Sequence, residues 1–482
     1  MIAVGLKSFG AYVPRLRLER SAIDSATGWA SGRRGGKAQG CRSYCAWDED
    51  SLTMAVEAAR DCLADVDRSA VESLVFASTT HPFADRSNAG VVATALGLPE
   101  SVQTSDASGC LRAGTSALLQ AFALARSSNG EAVVVAADRR LARPASAQES
   151  SFGHAAAALR VGTGEELAAV LLGHATLQAD FVDHYRAAGS DHDYVLEERW
   201  VRDEGYLELV PRTILAALDS SGLAGSDVGH LVVHGPGRFG SAVAKALGIA
   251  ADRLQDDLHR ECGDTGTGHP LLMLGAVLER AAAGDTIVVA GFGQGCDALV
   301  LRATGRAPSH GTGCRGALAN GVADREYLRF LANCGLVEID WGMRAERDNR
   351  TAQSASWRKH RDVTGFVGGR CRQCGAVQFP KGRACVNPEC RAFDTQDDHP
   401  LADSTGHVKS FTEDWLAVTR SPPCVYGNVG LDGGGNLFTE FADTPQGELA
   451  VGTPVRFVFR IKDFDRVRGF RRYFWKAVKV GS

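Results

Sequence analysis

The sequence predicts an α/β fold over residues 1–305, followed by a cysteine-rich module and a small β-barrel. Over 1–305, short apolar runs alternate with amphipathic helical stretches, a pattern typical of parallel βαβ units that are covered on both faces. Four cysteines lie close together between residues 371 and 390. From 406 to 480, short strands alternate with Gly, Pro and Asp turns, which favours a barrel.

The elements of the first segment follow from its periodicity. The expected strands are continuous apolar runs at 73–77, 131–136, 230–233 and 286–290. Residues 51–66 place apolar side chains close to one helical face, at Leu52, Val56, Leu63 and Val66. A faint internal repeat relates 130–162 to 284–305, and such repetition is compatible with a duplicated α/β fold.

Changes in composition divide the rest of the chain. Residues 306–325 are rich in Gly, Ser, His and Arg without periodicity, so we expect a domain boundary there. The predicted sequence of parts is a linker and helical connector at 306–369, the cysteine module at 370–400 and the barrel at 401–482. Barrel strands are expected at 406–413, 425–430, 436–441 and 454–461.

Composition excludes several classes of protein. The chain has 482 residues, 44% hydrophobic and 23% charged, which is ordinary for a globular protein and excludes general disorder. A net charge of −4 argues against a globally basic nucleic-acid binder. No apolar run is long enough to predict a transmembrane helix or a membrane partner. An odd number of scattered cysteines, 13 in all, and an N-terminus unlike a signal peptide predict a cytoplasmic location.

The cysteine cluster is the strongest local signal. Two pairs, Cys371-x-x-Cys374 and Cys385-x4-Cys390, stand ten residues apart. Four thiolates on two short knuckles suit one closed tetrahedral zinc site with a structural role. Iron in a rubredoxin-like site uses similar spacing, and four unrelated buried cysteines are the remaining alternative.

Cys110 stands in a turn of small residues, 105–114, directly before a predicted helix at 116–125. The N-terminus of that helix favours a thiolate, so we expect the pKa of Cys110 to fall. Small neighbours would also let a substrate carbonyl approach closely. A buried apolar cysteine is the alternative interpretation.

Two further loops follow predicted strands. His234 comes directly after 230–233, where α/β folds place reactive groups; a histidine satisfied in the core or a loop is the alternative. The Gly-rich loop 263–269 leads into a predicted helix at 270–282, with a plain turn and N-cap as the alternative. The glycines of 291–295 would let the backbone pass near a ligand, or would simply form a turn.

Cys110 at a helix start, His234 and the later Gly-x-Thr-Gly loop together resemble the thiolase superfamily. Within it, residues 2–305 are similar to the hydroxymethylglutaryl-CoA synthase-like branch, close to ketoacyl-carrier-protein synthase III. Other similar motifs lie at 47–55, 78–83, 151–157 and 291–297. Residues 326–480 resemble the zinc-ribbon plus OB-fold family that accompanies acyl-CoA enzymes, most specifically at 370–375 and 378–380.

This resemblance implies a duplicated five-layer αβαβα fold, usually dimeric, with halves at about 1–165 and 166–305. It implies that Cys110 accepts an acyl group from a CoA or carrier thioester. His234 and Asp264 would hold the thioester carbonyl of the second substrate, whose enolate forms or breaks a carbon–carbon bond. The residues expected to bind substrate or CoA are Thr79, His81, His269, Gly293 and Gly295. A partner acyl-CoA enzyme would dock on the barrel.

Three positions depart from the family's pattern. Thr79 stands where hydroxymethylglutaryl-CoA synthases carry a general acid/base Glu, and a hydroxyl cannot take that role near neutral pH. Asp264 replaces the usual Asn, and His154 interrupts a Gly-Asp-Gly motif. Three alternatives stay open for Asp264. Burial keeps it protonated as a hydrogen-bond donor, or it stays ionised and acts as a base. In the third, the Asp264 side chain turns away from the site and caps a helix.

We therefore expect an acyl-CoA C-acyltransferase that forms or thiolytically cleaves a carbon–carbon bond. A ketoacyl-synthase-like step in polyketide-type biosynthesis is the second interpretation, and Thr79 disfavours a true hydroxymethylglutaryl-CoA synthase. A nucleic-acid-binding ribbon and barrel is the alternative from another class, because basic and aromatic residues alternate near the C-terminus. The basic ones are Arg456, Arg460, Lys462, Arg466, Arg468, Arg471, Arg472, Lys476 and Lys479. We favour the alternative that these residues form a solvated barrel face.

Overall fold

The computed structural model describes residues 3–31, 38–195, 197–235, 237–306, 311–341 and 352–481. It divides into two compact units. The first comprises Met1–Ala46, Asp50–Gly90 and Pro99–Leu336, and the second Trp47–Glu49, Val91–Leu98 and Val337–Ser482.

Strands and helices alternate through the chain. The strands up to residue 336 are β1 Val4–Tyr12, β2 Leu16–Glu19, β3 Cys41–Ser43, β4 Val71–Ala77, β5 Gln103–Ala107, β6 Glu131–Arg139, β7 His154–Thr163, β8 Ala169–Gln178, β9 His230–Val233, β10 Thr286–Phe292, β11 Gly295–Ala303 and β12 Val322–Asp324. The helices there are α1 Arg20–Ser31, α2 Ser51–Cys62, α3 Asn88–Leu96, α4 Ala113–Ser128, α5 Ala147–Ser151, α6 Glu198–Trp200, α7 Leu207–Ser221, α8 Phe239–Ala246, α9 His269–Leu278, α10 Gly313–Ala319 and α11 Tyr327–Cys334. The remainder holds α12 Gln353–Arg358, α13 His360–Val363, β13 Val367–Cys371, β14 Val377–Gln378, β15 Gln396–Pro400, β16 Thr405–Asp414, β17 Cys424–Leu431, β18 Asn436–Glu440, β19 Pro454–Asp465 and β20 Phe470–Lys479.

The first unit contains a nine-stranded sheet in the order β5-β4-β6-β7-β1-β8-β11-β10-β9. Strands β4 and β6 are parallel and β6 and β7 antiparallel, and the same relations recur between β9, β10 and β11. The two halves meet where β1 pairs with β8. The repeat seen in the sequence is therefore a structural duplication, because each copy supplies the same arrangement of strands.

Two helices lie between the halves of the sheet and form the central layer. Helix α4 contacts strands of both halves, and so does α9. All ten residues of α9 are buried, as expected for a helix that is apolar on every side. On the outer faces, α2 packs on β1 and β7, and α7 packs on β8 and β11. This layering confirms the predicted five-layer αβαβα fold.

The first part of the segment predicted as a linker, 306–369, belongs to the first unit and not to a linker. Residues 307–310 and 342–351 of this segment lie outside the described residues. Helices α10 and α11 and strand β12 belong to the first unit. Strand β12 pairs in parallel with β2, and Phe330 and Cys334 pack against Leu18 and Ile23. A three-residue strand and helices of two turns have too little periodicity to be read from the sequence.

The second unit joins a three-stranded ribbon, β14-β13-β15, to a five-stranded antiparallel sheet, β18-β17-β16-β19-β20. A bridge between Phe441 and Ala477 closes that sheet, because it brings the end of β18 to β20. The result is a small barrel, as predicted. Phe366, fully buried, contacts Phe379 of the ribbon side and Trp475 of the barrel, so the two parts share one aromatic core.

The basic residues near the C-terminus are mostly paired within the second unit. Arg460 binds Asp443, and Lys462 and Lys476 bind Glu440. The remaining pairs are Arg466–Glu338, Arg468–Asp465 and Arg472–Asp463. Phe457, Tyr473 and Trp475 are buried. Ion pairs thus hold most of these basic residues, and three of the interleaved aromatic residues belong to the core.

In the described part of the chain, no helix combines the length and the apolar character needed to cross a membrane.

Candidate active site

Cys110 lies in the turn between β5 and α4, as predicted. Gly109, at φ +103°, turns the chain, and the Cys110 carbonyl accepts a hydrogen bond from the N–H of Ala113 at the start of α4. A Cβ added to Gly293 would lie 2.9 Å from the backbone nitrogen of Leu111, and one added to Gly114 would lie 2.3 Å from the Thr267 carbonyl oxygen. Both Gly-rich loops therefore pack against the Cys110 turn.

Arg112 fixes the turn in place. Its guanidinium donates to the Gly293 carbonyl at 3.1 Å and forms an ion pair with buried Asp297 at 3.2 Å. Asp297 also accepts hydrogen bonds from Thr115 and Thr176. Gly293 lies against the backbone of the Cys110 turn, and its predicted proximity to a ligand stays a prediction. Gly295, at φ +116°, permits the tight turn between β10 and β11.

The pKa of Cys110 is raised, which is opposite to the sequence prediction. Burial is the larger cause, and it outweighs the guanidinium and backbone N–H of Arg112, which lower the pKa. The sequence prediction considered the helix terminus alone and omitted the loss of water around a half-buried thiol. Two other cysteines of this unit, Cys262 and Cys296, are fully buried, and their pKa values rise to about 12.

We expect alkylation of Cys110 by iodoacetamide to accelerate as the pH rises above the ordinary thiol range. Only the thiolate reacts, so the pH at which the alkylation rate is half-maximal follows the pKa of the thiol. A raised pKa places that pH above about 8.5. Peptide mass spectrometry of the Cys110 peptide across pH 6–10, with glutathione as the reference thiol, measures this. If the alkylation rate of Cys110 reached half of its maximum at a lower pH than that of glutathione, the raised pKa would be contradicted.

His234 follows β9, as predicted, and pairs with Asp264. The Nε2–H of His234 donates to Oδ1 of Asp264 at 3.2 Å. The His234 ring lies against the ring of His269, with centroids 3.8 Å apart. Its Nδ1 atom is buried and has no hydrogen-bond partner among the described residues. In a neutral ring with its proton on Nε2, Nδ1 would carry a lone pair.

Asp264 is held between His234 and Arg140. Its second oxygen, Oδ2, pairs with the Arg140 guanidinium at 3.1 Å, while Oδ1 accepts the N–H of Gly266 at 2.9 Å. Burial alone would raise the pKa of Asp264, but His234 and Arg140 outweigh it, and the pKa lies well below its usual range. Asp264 is therefore ionised: the alternatives of a protonated donor and of a cap turned away from His234 are both wrong.

Both ring nitrogens of His269 are bonded within the fold. It is fully buried, its Nδ1 accepts the Thr265 N–H at 3.1 Å, and its Nε2–H donates to the Asp257 carbonyl at 2.7 Å. Burial lowers the pKa of His269 to about 3, so the ring is neutral. His234, Asp264 and His269 lie close enough together to suggest a metal site, but both nitrogens of His269 are already bonded. Its role in this structure is to support His234 and the Gly-rich loop.

Thr79 and His81 are also bonded within the fold. Asp138, fully buried, accepts the N–H and the hydroxyl of Thr79 at 2.8 and 3.0 Å, and its other oxygen accepts the N–H of Thr267. His81 faces the Phe76 carbonyl at 3.2 Å, and burial lowers its pKa. The hydroxyl of Thr79 therefore links β4 to the Gly-rich loop and does not take the place of a carboxylate.

The sequence analysis missed a chain of alternating charges behind Asp264. Arg140 is 3% exposed and pairs with Asp193 at 2.9 Å as well as with Asp264. Asp193 in turn pairs with Arg186, whose guanidinium also bonds the Thr79 carbonyl. Arg140 stacks on Phe152 at 3.7 Å. Only the position of Arg140 directly after β6, at a strand end, was a signal for its involvement.

Four of the five cysteines of the second unit form one cluster. The Sγ atoms of Cys371 and Cys390 are 3.9 Å apart, those of Cys374 and Cys385 are 3.5 Å apart, and all four lie within 4.8 Å of one another. Four sulfurs around zinc, each at about 2.3 Å, are about 3.8 Å apart in a tetrahedron. The cluster fits a closed structural zinc site, as the spacing predicted.

Comparisons with known proteins agree with this arrangement. Residues 218–302 match the family described as 3-oxoacyl-[acyl-carrier-protein] synthase III C terminal, and residues 359–396 match the ChsH2 rubredoxin-like zinc ribbon domain. The hydroxymethylglutaryl-CoA synthase of Methanocella arvoryzae is 30% identical over 297 residues, which cover 61% of this chain and 85% of the relative.

Solved structures share the fold of the first unit. A hydroxymethylglutaryl-CoA synthase complexed with CoA has a TM-score of 0.61 at 16% identity, over 73% of this chain and 95% of that one. The 3-oxoacyl-(acyl carrier protein) synthase III of Pseudomonas aeruginosa PAO1 has a TM-score of 0.56 at 24% identity, over 64% of this chain and 100% of that one. The chain belongs to the hydroxymethylglutaryl-CoA synthase family of the thiolase superfamily, as a condensing acyltransferase with a zinc ribbon in its C-terminal unit.

Proposed function

We propose that this protein is an acyl-CoA C-acyltransferase that forms or cleaves a carbon–carbon bond through an acyl-Cys110 intermediate. The observation that carries the proposal is the packing of the half-buried Cys110 turn against both Gly-rich loops. One of these loops bears Asp264, the partner of His234. The CoA bound in the related synthase structure supports a CoA thioester as the donor.

The chemistry of the residues suits such a transfer. A thiol with a raised pKa needs a base, and the unpartnered Nδ1 of His234 is one. The Cys110 sulfur attacks the thioester carbonyl, the bond to the CoA sulfur breaks, and the thiol proton passes to the leaving CoA thiolate. In this scheme Asp264 is a positioning residue, because its charge holds the proton of His234 on Nε2.

The match of residues 218–302 to a ketoacyl-carrier-protein synthase family favours a second candidate, a condensing step with a carrier-protein substrate. The two candidates differ in the donor that acylates Cys110. Intact-mass analysis after incubation with acetyl-, acetoacetyl-, hexanoyl- and lauroyl-CoA, and separately with acyl carrier protein thioesters, distinguishes them. If no thioester in either panel adds an acyl mass to the protein, the proposal of an acyl-Cys110 intermediate fails.

We expect Asp264→Asn to reduce kcat by about 10²-fold or more, the scale of losing general acid/base function. The amide can present its NH₂ to Nε2, which shifts the proton of His234 to Nδ1 and removes the free lone pair. Steady-state turnover of an acyl-CoA that acylates the wild type measures the effect. Asp252→Asn, a change at an exposed aspartate of the same unit, is the control, and an unchanged rate for Asp264→Asn would contradict the positioning role.

The pH dependence follows from the lowered pKa of Asp264. A carboxyl with a depressed pKa contributes its ion pairs throughout the range above about 3.9 and loses them only as the pH falls through the folded-state value. Asp264 therefore adds no titration step to the activity profile between pH 5 and 8.

We also propose a homodimer. Strand β5 lies at the edge of the nine-stranded sheet and its residues are largely exposed, so its backbone groups are open to pairing with a second copy. Sedimentation at several protein concentrations tests this. Docking of a partner acyl-CoA enzyme on the barrel and a cytoplasmic location stay predictions of the sequence.

A further inference from the structure

In the described part of the chain, neither His234 nor Asp264 presents a free hydrogen-bond donor to the thioester oxygen of the second substrate. The two residues expected to hold that oxygen are His234 and Asp264. The N–H of His234 is bonded to Asp264, and an ionised carboxylate offers only acceptors. An enolate forming on that oxygen would meet the negative charge of Asp264 without a donor from either residue.

Tyr206 lies between the two sides of the site. It ends a π-helical turn, Val201–Tyr206, an irregularity that is frequent at functional sites. Its ring contacts Phe239 and Phe292, with centroids 4.6 and 4.3 Å apart.

Phe239 packs beside the neighbour of His234, and Phe292 precedes a glycine that packs on the Cys110 turn. A Cβ added to Gly235, the neighbour of His234, would lie 2.3 Å from the Phe239 ring. Phe292 directly precedes Gly293, which packs against the backbone of the Cys110 turn. The Tyr206 ring is therefore held from the His234 side and from the Cys110 side at once.

The hydroxyl of Tyr206 is available for a substrate. It is half-buried, and it takes part in no hydrogen bond among the described residues. Burial raises the pKa of Tyr206, and the charges of Asp264 and Asp183 raise it further; the same Asp183 also raises the pKa of Cys110. The raised pKa keeps the hydroxyl protonated near neutral pH, so it can donate a hydrogen bond.

We propose that the Tyr206 hydroxyl donates the hydrogen bond to the thioester oxygen of the second substrate, in place of the amide that Asp264 replaces. The role rests on the proposed function. When an acyl-CoA α C–H bond breaks, its proton goes to His234 Nδ1, its electron pair forms the C=C bond of the enolate, and the thioester oxygen gains the negative charge. The O–H of Tyr206 stabilises that oxygen without transferring its own proton.

The test separates enolate formation from acylation of Cys110. Tyr206→Phe keeps the ring contacts with Phe239 and Phe292 and removes only the hydroxyl. Deuterium exchange from heavy water into the α-carbon of acetyl-CoA should fall by about 10²- to 10³-fold, the cost of removing one oxyanion donor. Acylation of Cys110 by acetyl-CoA, followed by intact mass, should change by less than about threefold. Tyr426→Phe, in the barrel, is the control with the same chemical change.

A second variant distinguishes a donor from a structural role. Tyr206→His restores an N–H donor on a smaller ring, so its exchange rate should exceed that of Tyr206→Phe. Equal exchange in wild type and Tyr206→Phe would overturn the proposal, and so would equal losses in the Phe and His variants or a parallel loss of acylation and exchange. If the wild type is not acylated at Cys110, the proposed function itself fails, whatever the behaviour of Tyr206.

Discussion

Cys110→Ala should abolish every covalent acyl adduct and reduce acyl transfer by about 10⁴-fold or more, the scale of deleting a catalytic nucleophile. Alanine has no atom that can attack a thioester. Two other cysteines of the same unit are poor substitutes for it. Cys262 and Cys296 are fully buried, and the pKa of each thiol is about 12.

Intact-mass and peptide-mass measurements after incubation with acyl-CoAs check this expectation. Cys41→Ala, at a partly exposed cysteine of the first unit, is the matched control and should be acylated like the wild type. The melting temperature of Cys110→Ala should stay within about 4 °C of the wild type, because a single half-buried sulfur is lost. Adducts that persist, or that map to Cys262 or Cys296, would show that Cys110 is not the nucleophile.

Cys371→Ser should remove stoichiometric zinc and unfold the ribbon of the second unit. Structural zinc contributes an apparent free energy of about 10–16 kcal/mol in zinc-finger peptides, comparable to or larger than the whole stability of a typical domain. The ribbon has only three short strands, β13 to β15. Its fold therefore depends on the metal and on the aromatic core around Phe366.

Elemental analysis of freshly purified protein should give one zinc per chain, and the same measurement distinguishes zinc from iron. Limited proteolysis should then cut the Cys371→Ser protein within 370–400 first. Cys424→Ser, at a half-buried barrel cysteine outside the cluster, should retain the metal and resist proteolysis. Wild-type protein with no bound metal and no disulfide in its place would disprove the site.

Short-range patterns were enough to predict much of this molecule. Strand β9, 230–233, has the predicted bounds, because a buried strand between helices is a continuous apolar run. The four cysteines were identified because a zinc knuckle is encoded by spacing over a few residues. The turn at Cys110 was predicted for the same reason: small residues between a strand and a helix have local consequences.

The charge state of the site was decided only by the tertiary structure. Arg140 reaches Asp264 across 124 residues of sequence, and no local pattern couples them. That contact, together with His234, keeps Asp264 ionised where the sequence left three alternatives. Burial likewise reversed the predicted direction of the pKa shift at Cys110.

The sequence by itself thus determined the α/β fold, the order of its parts, the zinc ligands and the residues at the ends of the strands. The tertiary structure decided which of those residues meet, which side chains stay ionised and that the Tyr206 ring packs against Phe239 and Phe292. The reason is physical: periodicity and spacing act between near neighbours in the chain, whereas desolvation and Coulomb interactions depend on every group that the fold brings within a few ångströms.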